Sequence, residues 1–162
     1  VYNGPLKIFF NAYGKLTLYR CKPDLSGVIV ASKFTKFLTV WVLMSSISEK
    51  MENVINFESA DNICELSFKN GVETINDFFN EKTCKKNIKK NSIKLINASG
   101  VFFHLEELDS VIKGINYCLS EDGVFIVQCM YVGAMIDNLN FDTIYHEHLC
   151  YYTLNSLRKL LQ

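Results

Sequence analysis

The order of strand and helix patterns along this chain predicts an α/β fold built on a parallel, doubly wound sheet. From residue 54 onward, short apolar runs with strand character alternate with helical patterns and turn signals. Alternation of this kind is typical of such sheets, because each helix carries the chain back to begin the next parallel strand. The expected strands cover 54–57, 72–75, 92–98 and 124–127, and the expected helices cover 62–69, 78–90 and 105–119.

The ends and faces of the helices support this prediction. Asp61 is expected to cap the first helix, and Asn70-Gly71 to end it in a left-handed conformation. In the third helix, apolar residues from Leu108 to Leu119 recur at helical spacing. Residues 120–123 read as a turn, and a last helix is expected to be capped by Thr153 or Asn155.

The first part of the chain follows no such order. Residues 27–31 and 37–44 are apolar and β-branched enough to form buried strands, but no glycine-rich turn follows either of them. The sequence therefore divides into a poorly defined N-terminal segment, residues 1–50, and a domain at residues 51–162.

Composition narrows the functional class. Seventeen basic and seventeen acidic residues cancel, so no strong field attracts nucleic acid or a membrane surface. The lysines between 82 and 90 are interpreted as the solvated face of a helix. Six cysteines are scattered without a Cys-x-x-Cys pair, which favours reduced thiols and a cytoplasmic location. The apolar run 37–44 is too short to span a bilayer, which takes about 20 residues.

Residues 141–153 hold the densest chemistry, with two of the three histidines, a glutamate and three tyrosines. In an extended strand, His146 and His148 would share one face, and Tyr145 and Glu147 the other. This concentration indicates a reaction site or a metal site. A zinc site would need a further ligand that no nearby cysteine pair supplies, so no metal is expected.

Polar residues also stand where the predicted strands end. Glu58, Asp77, His104 and the residues after Val127 all follow such strands. Ligands of parallel sheets bind beyond the carboxyl ends of the strands. The sequence therefore predicts a binding site along this edge.

Two stretches together resemble a known family. The run Phe141–Leu149 (FDTIYHEHL), with Tyr151-Tyr152-Thr153 behind it, resembles the signature of sugar C-methyltransferases, class I enzymes that use S-adenosylmethionine to methylate carbon in nucleotide-linked keto-deoxysugars. The resemblance covers about residues 58–162. It implies a Rossmann-like class I methyltransferase domain, S-adenosylmethionine as cofactor and a nucleotide-linked keto-deoxysugar as substrate. The supporting segments are 61–63, 71–79, 101–105 with Leu108, and 123–125.

The same resemblance implies individual roles. Glu58 is expected to accept hydrogen bonds from both ribose hydroxyls of the cofactor, and Asp77 to lie beside its adenine. Carbon methylation requires a base to remove the proton alpha to a ketone and a donor for the resulting enolate oxygen. His104 or His148 suits the first role, and an imidazole or the Tyr145 hydroxyl the second. The implied site residues are Glu58, Asp77, Ala98 and Ser99 for the cofactor, and His104, Tyr145, Glu147 and His148 for catalysis.

The chain also departs from the family pattern. The glycine-rich turn between the first strand and first helix is not found, and Ser99-Gly100 replaces asparagines. On one interpretation, the first strand, its turn and the first helix are missing between about residues 55 and 61; on another, 37–44 is a degenerate first strand. The sheet is therefore expected to be incomplete. A non-catalytic remnant of the family, or a class I methyltransferase for another small molecule, stays open.

Overall fold

The computed structural model describes residues 54–162 in full and, before them, the backbone of three strands at residues 7–10, 15–19 and 28–31. Together these form a sheet flanked by helices, which confirms the α/β class. The strands are β1 Lys7–Phe10, β2 Lys15–Tyr19, β3 Val28–Ala31, β4 Val54–Phe57, β5 Glu73–Ile75, β6 Ile93–Ser99 and β7 Leu119–Met130. The helices are α1 Asp61–Lys69, α2 Glu81–Asn87, α3 Leu108–Cys118, α4 Val132–Asp137 and α5 Leu154–Leu160, with a 3-10 helix at Phe141–Thr143.

The described strands lie in the order β1-β2-β7-β6-β3-β4-β5. From β7 to β5, each neighbouring pair is parallel, whereas β2 runs antiparallel to both β7 and β1. The parallel strands therefore end together along one edge of the sheet, which is where such folds bind ligands.

The centre of the sheet differs from the sequence prediction. β3 lies between β4 and β6, with Val30 in register with Asn56 on one side and Asn97 on the other. The interpretation that the first strand is missing is therefore wrong, because β3, an apolar run well before β4, fills that position. The alternative first strand at 37–44 lies outside the described residues. The sequence has no glycine between Gly27 and Gly71, so the segment after β3 carries no glycine-rich run.

Helix ends follow local chemistry, with one correction. Gly71 closes α1 with a φ of 74°, a left-handed conformation that glycine adopts without strain. Asp61 is not the cap of α1: Ala60 holds that position, and the Asp61 carboxylate instead accepts a hydrogen bond from Asn76 Nδ2 at 2.7 Å. Thr153, rather than Asn155, caps α5.

Helix α2 is shorter than predicted. Asn80 begins it by accepting from the Thr83 backbone N–H at 2.9 Å, and the lysines between 82 and 90 are exposed, as expected of a solvated face. α2 packs against α3 at Gly114, where an added Cβ would lie 3.1 Å from Cys84 Sγ.

The turn predicted at 120–123 is a bulge within β7. Ile93 pairs with Leu119 and Leu95 with Val124, so four residues stand opposite Lys94 alone. The Lys94 ammonium bonds an Asp122 carboxylate oxygen at 2.6 Å and holds the bulge in place. A polar Ser-Glu-Asp-Gly run gives the same local signal for a bulge as for a turn.

The hydrophobic core lies between the sheet and the helices and reaches the edge of the sheet at which the parallel strands end. Its most enclosed side chains include Phe57 at the end of β4, Phe102 just after β6, and Leu157 on α5. Rigid packing directly beneath the strand ends fixes the residues that follow them. Among the described residues, no helix has the length and apolar character needed to cross a membrane.

Candidate active site

Glu58 occupies the end of β4 as a buried carboxylate, with 2% of its surface exposed. Its Oε1 accepts a hydrogen bond from the Ala60 backbone N–H at 3.0 Å. Its own N–H donates to Ile75 O at 3.1 Å, which joins the ends of β4 and β5. Burial of a carboxylate is costly without hydrogen-bond donors. The backbone at this strand end supplies such a donor, so a hydrogen-bond acceptor is stable here.

Asp77 follows β5 and lies in an exposed loop. One carboxylate oxygen accepts from the Phe78 backbone N–H at 2.7 Å, and the other accepts from Thr83 Oγ1 at 3.3 Å. Asp77 therefore links the end of β5 to the first turn of α2, and its position is fixed by both.

An apolar pocket opens between these strand ends and α3. Aromatic and aliphatic side chains dominate its lining, and Asp77 is the acidic residue among them. A pocket of this character suits a flat heterocycle with a polar edge. The lining residues from the strand ends and the loops after them are Phe57, Ser59, Asp77, Phe78, Phe79, Ala98, Val101, Phe102 and Leu105.

The two residues predicted at the end of β6 fall into different environments. Ala98 is buried and lines the pocket. Ser99 is not part of the lining, and its hydroxyl donates to Gln128 Oε1 on β7 at 2.6 Å. Consecutive strand residues point to opposite faces, so only Ala98 joins Asp77 at the pocket.

Three predicted catalytic residues come together in what we call the His–Tyr cluster: His104, Tyr145 and His148. The ring centroids of His104 and His148 are 5.1 Å apart, and those of Tyr145 and His148 are 4.1 Å apart. Phe103 packs against both imidazoles with centroid distances of 4.5 Å. The segment after β6 and the segment 141–153 therefore form one cluster.

Residues 145–149 are not extended, so the condition under which His146 and His148 would share one face is not met. Residues 141–143 form a 3-10 helix and the chain then turns, with the His148 N–H donating to Tyr145 O at 3.0 Å. The turn brings Tyr145 onto His148 rather than to the opposite face, while His146 is exposed. The Phe103 carbonyl anchors the segment by accepting from the N–H groups of Leu149 and Cys150 at 2.8 and 3.2 Å.

Main-chain oxygens fix the proton positions on both imidazoles. His104 Nδ1 lies 2.5 Å from Glu147 O, and His148 Nδ1 lies 2.9 Å from Thr143 O. A carbonyl oxygen can only accept, so each Nδ1 carries a proton, and Nε2 has the lone pair in the neutral ring. Each imidazole is thereby prepared to act as a base through Nε2.

Burial lowers the pKa of His148, and the neighbouring His104 lowers it further, while the Thr143 carbonyl and Glu147 act in the opposite direction. With 8% of its surface exposed, His148 is held in the neutral form near pH 7. Glu147 contacts the cluster through its main-chain carbonyl, and its side chain is exposed.

Three residues at this cluster received no catalytic role from the sequence: Phe103, Thr143 and Tyr151. The Tyr151 hydroxyl donates to Thr143 O at 3.2 Å. All three lie inside the stretches that carry the family resemblance, but their contacts depend on the turn. Within the part of the chain that the structure describes, no group of three or more His, Cys, Asp or Glu residues is arranged to hold a metal ion.

Comparison with known proteins supports the family resemblance. Over 110 residues, 67% of this chain, the sequence is 30% identical to the C-methyltransferase NovU of Streptomyces niveus. The match supports the resemblance to the class I S-adenosylmethionine-dependent C-methyltransferases over part of their length. It spans about a quarter (26%) of the length of NovU. No family model matches the sequence.

A solved structure shows the same fold. A methyltransferase from Thermotoga maritima, described as S-adenosylmethionine-dependent and a possible histamine N-methyltransferase, superposes with a TM-score of 0.60 over 86% of this chain and 62% of its own. At 15% identity, this likeness concerns the fold alone. It confirms the Rossmann-like architecture that the C-methyltransferases share.

The residues at the strand ends fit the cofactor of this family. The buried Glu58 carboxylate suits the hydroxyl groups of a ribose, because a carboxylate accepts several hydrogen bonds and donates none. The adjoining apolar pocket, which Asp77 also lines, suits an adenine ring.

Proposed function

We propose that this chain binds S-adenosylmethionine at the ends of β4, β5 and β6 and methylates a carbon atom of a nucleotide-linked keto-deoxysugar. The observation that carries the proposal is the placement of the His–Tyr cluster. Its His104 lies in the segment that follows β6, and the end of the same strand contributes Ala98 to the pocket that Asp77 also lines. The name of its relative NovU, a C-methyltransferase, favours carbon as the acceptor atom.

Glu58 would hold the ribose hydroxyls, and Asp77 with Ala98 would border the adenine. When bound, the cofactor supplies an electrophilic methyl group. The protein itself must orient the acceptor carbon and remove the proton alpha to the ketone. Correct positioning of reacting groups can lower a reaction barrier by about 7–11 kcal/mol.

His148 is the better candidate for the general base. Its Nδ1 proton is committed to Thr143 O, and its lowered pKa keeps Nε2 unprotonated near pH 7, ready to take the proton alpha to the ketone. The Tyr145 ring lies against His148, so its hydroxyl would donate to the developing enolate oxygen. His104 would orient the substrate beside them.

The missing glycine-rich run favours a second candidate, a non-catalytic remnant that does not bind the cofactor. Glycines at such turns let the backbone approach the ligand closely, and the sequence has none between Gly27 and Gly71. Cofactor binding therefore separates the two candidates.

The test is calorimetric titration of the chain with S-adenosylhomocysteine. Glu58→Gln should weaken binding by roughly 10- to 100-fold, because a hydrogen bond to a charged group contributes about 1.5–3 kcal/mol. Glu73→Gln is the matched control, since Glu73 is exposed on the adjacent strand β5, and it should leave the Kd unchanged. Absence of binding by the unaltered chain would exclude the methyltransferase proposal and leave the remnant.

If the cofactor binds, incubation with labelled S-adenosylmethionine and a nucleotide-linked keto-deoxysugar tests the reaction. Label appearing on a sugar carbon, and lost in His148→Gln, is the expected result. Cofactor binding without transfer to any keto sugar would favour another small-molecule acceptor.

A further inference from the structure

We infer that Tyr151 is a positioning residue, which holds the Thr143 carbonyl so that His148 keeps its proton on Nδ1 and presents Nε2 as the base. The inference deepens the proposed function, since it assigns the support of the proposed base. It rests on a shared acceptor at the end of the 3-10 helix.

Two side chains converge on one carbonyl oxygen. Thr143 O accepts from His148 Nδ1 at 2.9 Å and from the Tyr151 hydroxyl at 3.2 Å. A carbonyl oxygen has two lone pairs and can satisfy both donors at once. The rings of His148 and Tyr151 stand nearly perpendicular, at 72°, with centroids 6.0 Å apart, so the two side chains approach the oxygen from different directions.

Among the described residues, the Thr143 carbonyl is the hydrogen-bond partner of His148 Nδ1, and its direction therefore decides the tautomer. Thr143 is the last residue of a three-residue 3-10 helix, and short 3-10 segments are weakly held by their own hydrogen bonds. The Thr143 hydroxyl is already occupied, because it donates to Asn140 O at 2.7 Å. The Tyr151 hydroxyl supplies a second, independent anchor for the peptide that ends at this carbonyl.

The adjacent tyrosine makes a different contact. Tyr152 is buried in the core, and its hydroxyl donates to Phe102 O at 3.0 Å rather than to Thr143 O. Of the two neighbouring tyrosines, only Tyr151 is placed to influence the base. This difference supplies a matched pair of substitutions on consecutive residues.

The experiment is nitrogen NMR of the full chain labelled with 15N-histidine. The chain has three histidines, so their ring nitrogens can be assigned with single substitutions. In the unaltered chain, His148 should be protonated at Nδ1. In Tyr151→Phe, the ratio of the Nδ1–H to the Nε2–H form should fall by about fivefold, the effect of losing one ordinary hydrogen bond.

Tyr152→Phe is the control and should leave the His148 ratio unchanged. Far-UV circular dichroism of both variants checks that the fold is kept. Three results would each overturn the inference: a His148 protonated at Nε2 in the unaltered chain, a ratio that stays constant or rises in Tyr151→Phe, or an equal fall in Tyr152→Phe.

The readout needs neither cofactor nor substrate, so it is independent of the proposed function. A chain that binds no S-adenosylhomocysteine but shows the Tyr151 effect would overturn the proposed function and support the positioning contact. A chain that methylates a keto sugar but shows an unchanged His148 ratio in Tyr151→Phe would support the proposed function and overturn the positioning role of Tyr151.

Discussion

At the scale of single residues, the imidazoles of the His–Tyr cluster are held by main-chain oxygens rather than by acidic side chains. Glu147 O and Thr143 O each accept from an Nδ1–H. A carbonyl orients an imidazole without adding a full negative charge that would raise the pKa of the ring. The cluster therefore keeps its tautomers fixed while burial lowers the pKa of His148.

This lowered pKa predicts a pH-dependent stability. Between the folded pKa of His148 and its ordinary value of about 6.5, the unfolded chain binds more protons than the folded chain at this position. The free energy of unfolding should therefore rise with pH through that window and lose this contribution as the pH falls.

NMR titration of the His148 ring should give a pKa below 6.5, and urea unfolding at a series of pH values between 5 and 7 should show a shallower slope in His148→Gln than in the unaltered chain. An equal slope in the two proteins would contradict the burial of a neutral imidazole at this position.

At the scale of elements, short helices depend on their caps, because they have few internal hydrogen bonds of their own. α5 has seven residues, and Thr153 and Ser156 cap it reciprocally, with the Ser156 N–H donating to Thr153 Oγ1 at 3.1 Å. Its Leu157 side chain is fully buried. The cap therefore helps to stabilise a helix whose Leu157 side chain belongs to the hydrophobic core.

Thr153→Ala should lower the free energy of unfolding by about 1 kcal/mol, the usual cost of losing an N-cap side chain. Asn155→Ala is the control, because Asn155 is exposed inside the helix and makes no cap, and its effect should stay within about 0.5 kcal/mol. Urea denaturation of the two variants measures both. An equal loss in the two would indicate a helix that is not capped by Thr153.

At the scale of the whole molecule, segments far apart in sequence meet in one sheet. β2 pairs with β7 and places Leu16 opposite Cys129, while β3 joins β4 to β6. β7 consequently has a partner on both sides, and Cys129 is 1% exposed. Burial raises the pKa of the Cys129 thiol to about 12.

Iodoacetamide at pH 8 should therefore alkylate Cys129 only when the whole molecule unfolds. A thiol with this pKa has a thiolate fraction about three orders of magnitude below that of an ordinary cysteine of pKa near 8.5. Mass spectrometry of peptides from native and urea-unfolded protein gives the labelling at each position. Cys150, which is half-buried, is the internal reference. If Cys129 is labelled as fast as Cys150 in the native protein, the burial of Cys129 between the neighbours of β7 would be contradicted.

The sequence by itself determined the local structure and the family. Periodicity and turn residues predicted β4 to β6, the second half of β7 and the helices α1, α2, α3 and α5, including the Gly71 helix end, but not α4. The run FDTIYHEHL with its neighbours indicated the C-methyltransferases. These features depend on residues close together in the chain, whose conformational preferences and spacing are readable directly. The strand ends at Glu58 and Asp77 followed from the same patterns.

Only the tertiary structure decided which residues meet. The sequence could not show that β3 occupies the centre of the sheet, because an apolar run carries no information about its partners. Nor could it show that Tyr145 packs on His148. In a strand these side chains would point to opposite faces, whereas the turn at residues 145–148 brings them together. The sharing of Thr143 O by His148 and Tyr151 likewise depends on how residues 141–153 fold back on themselves, which no local pattern encodes.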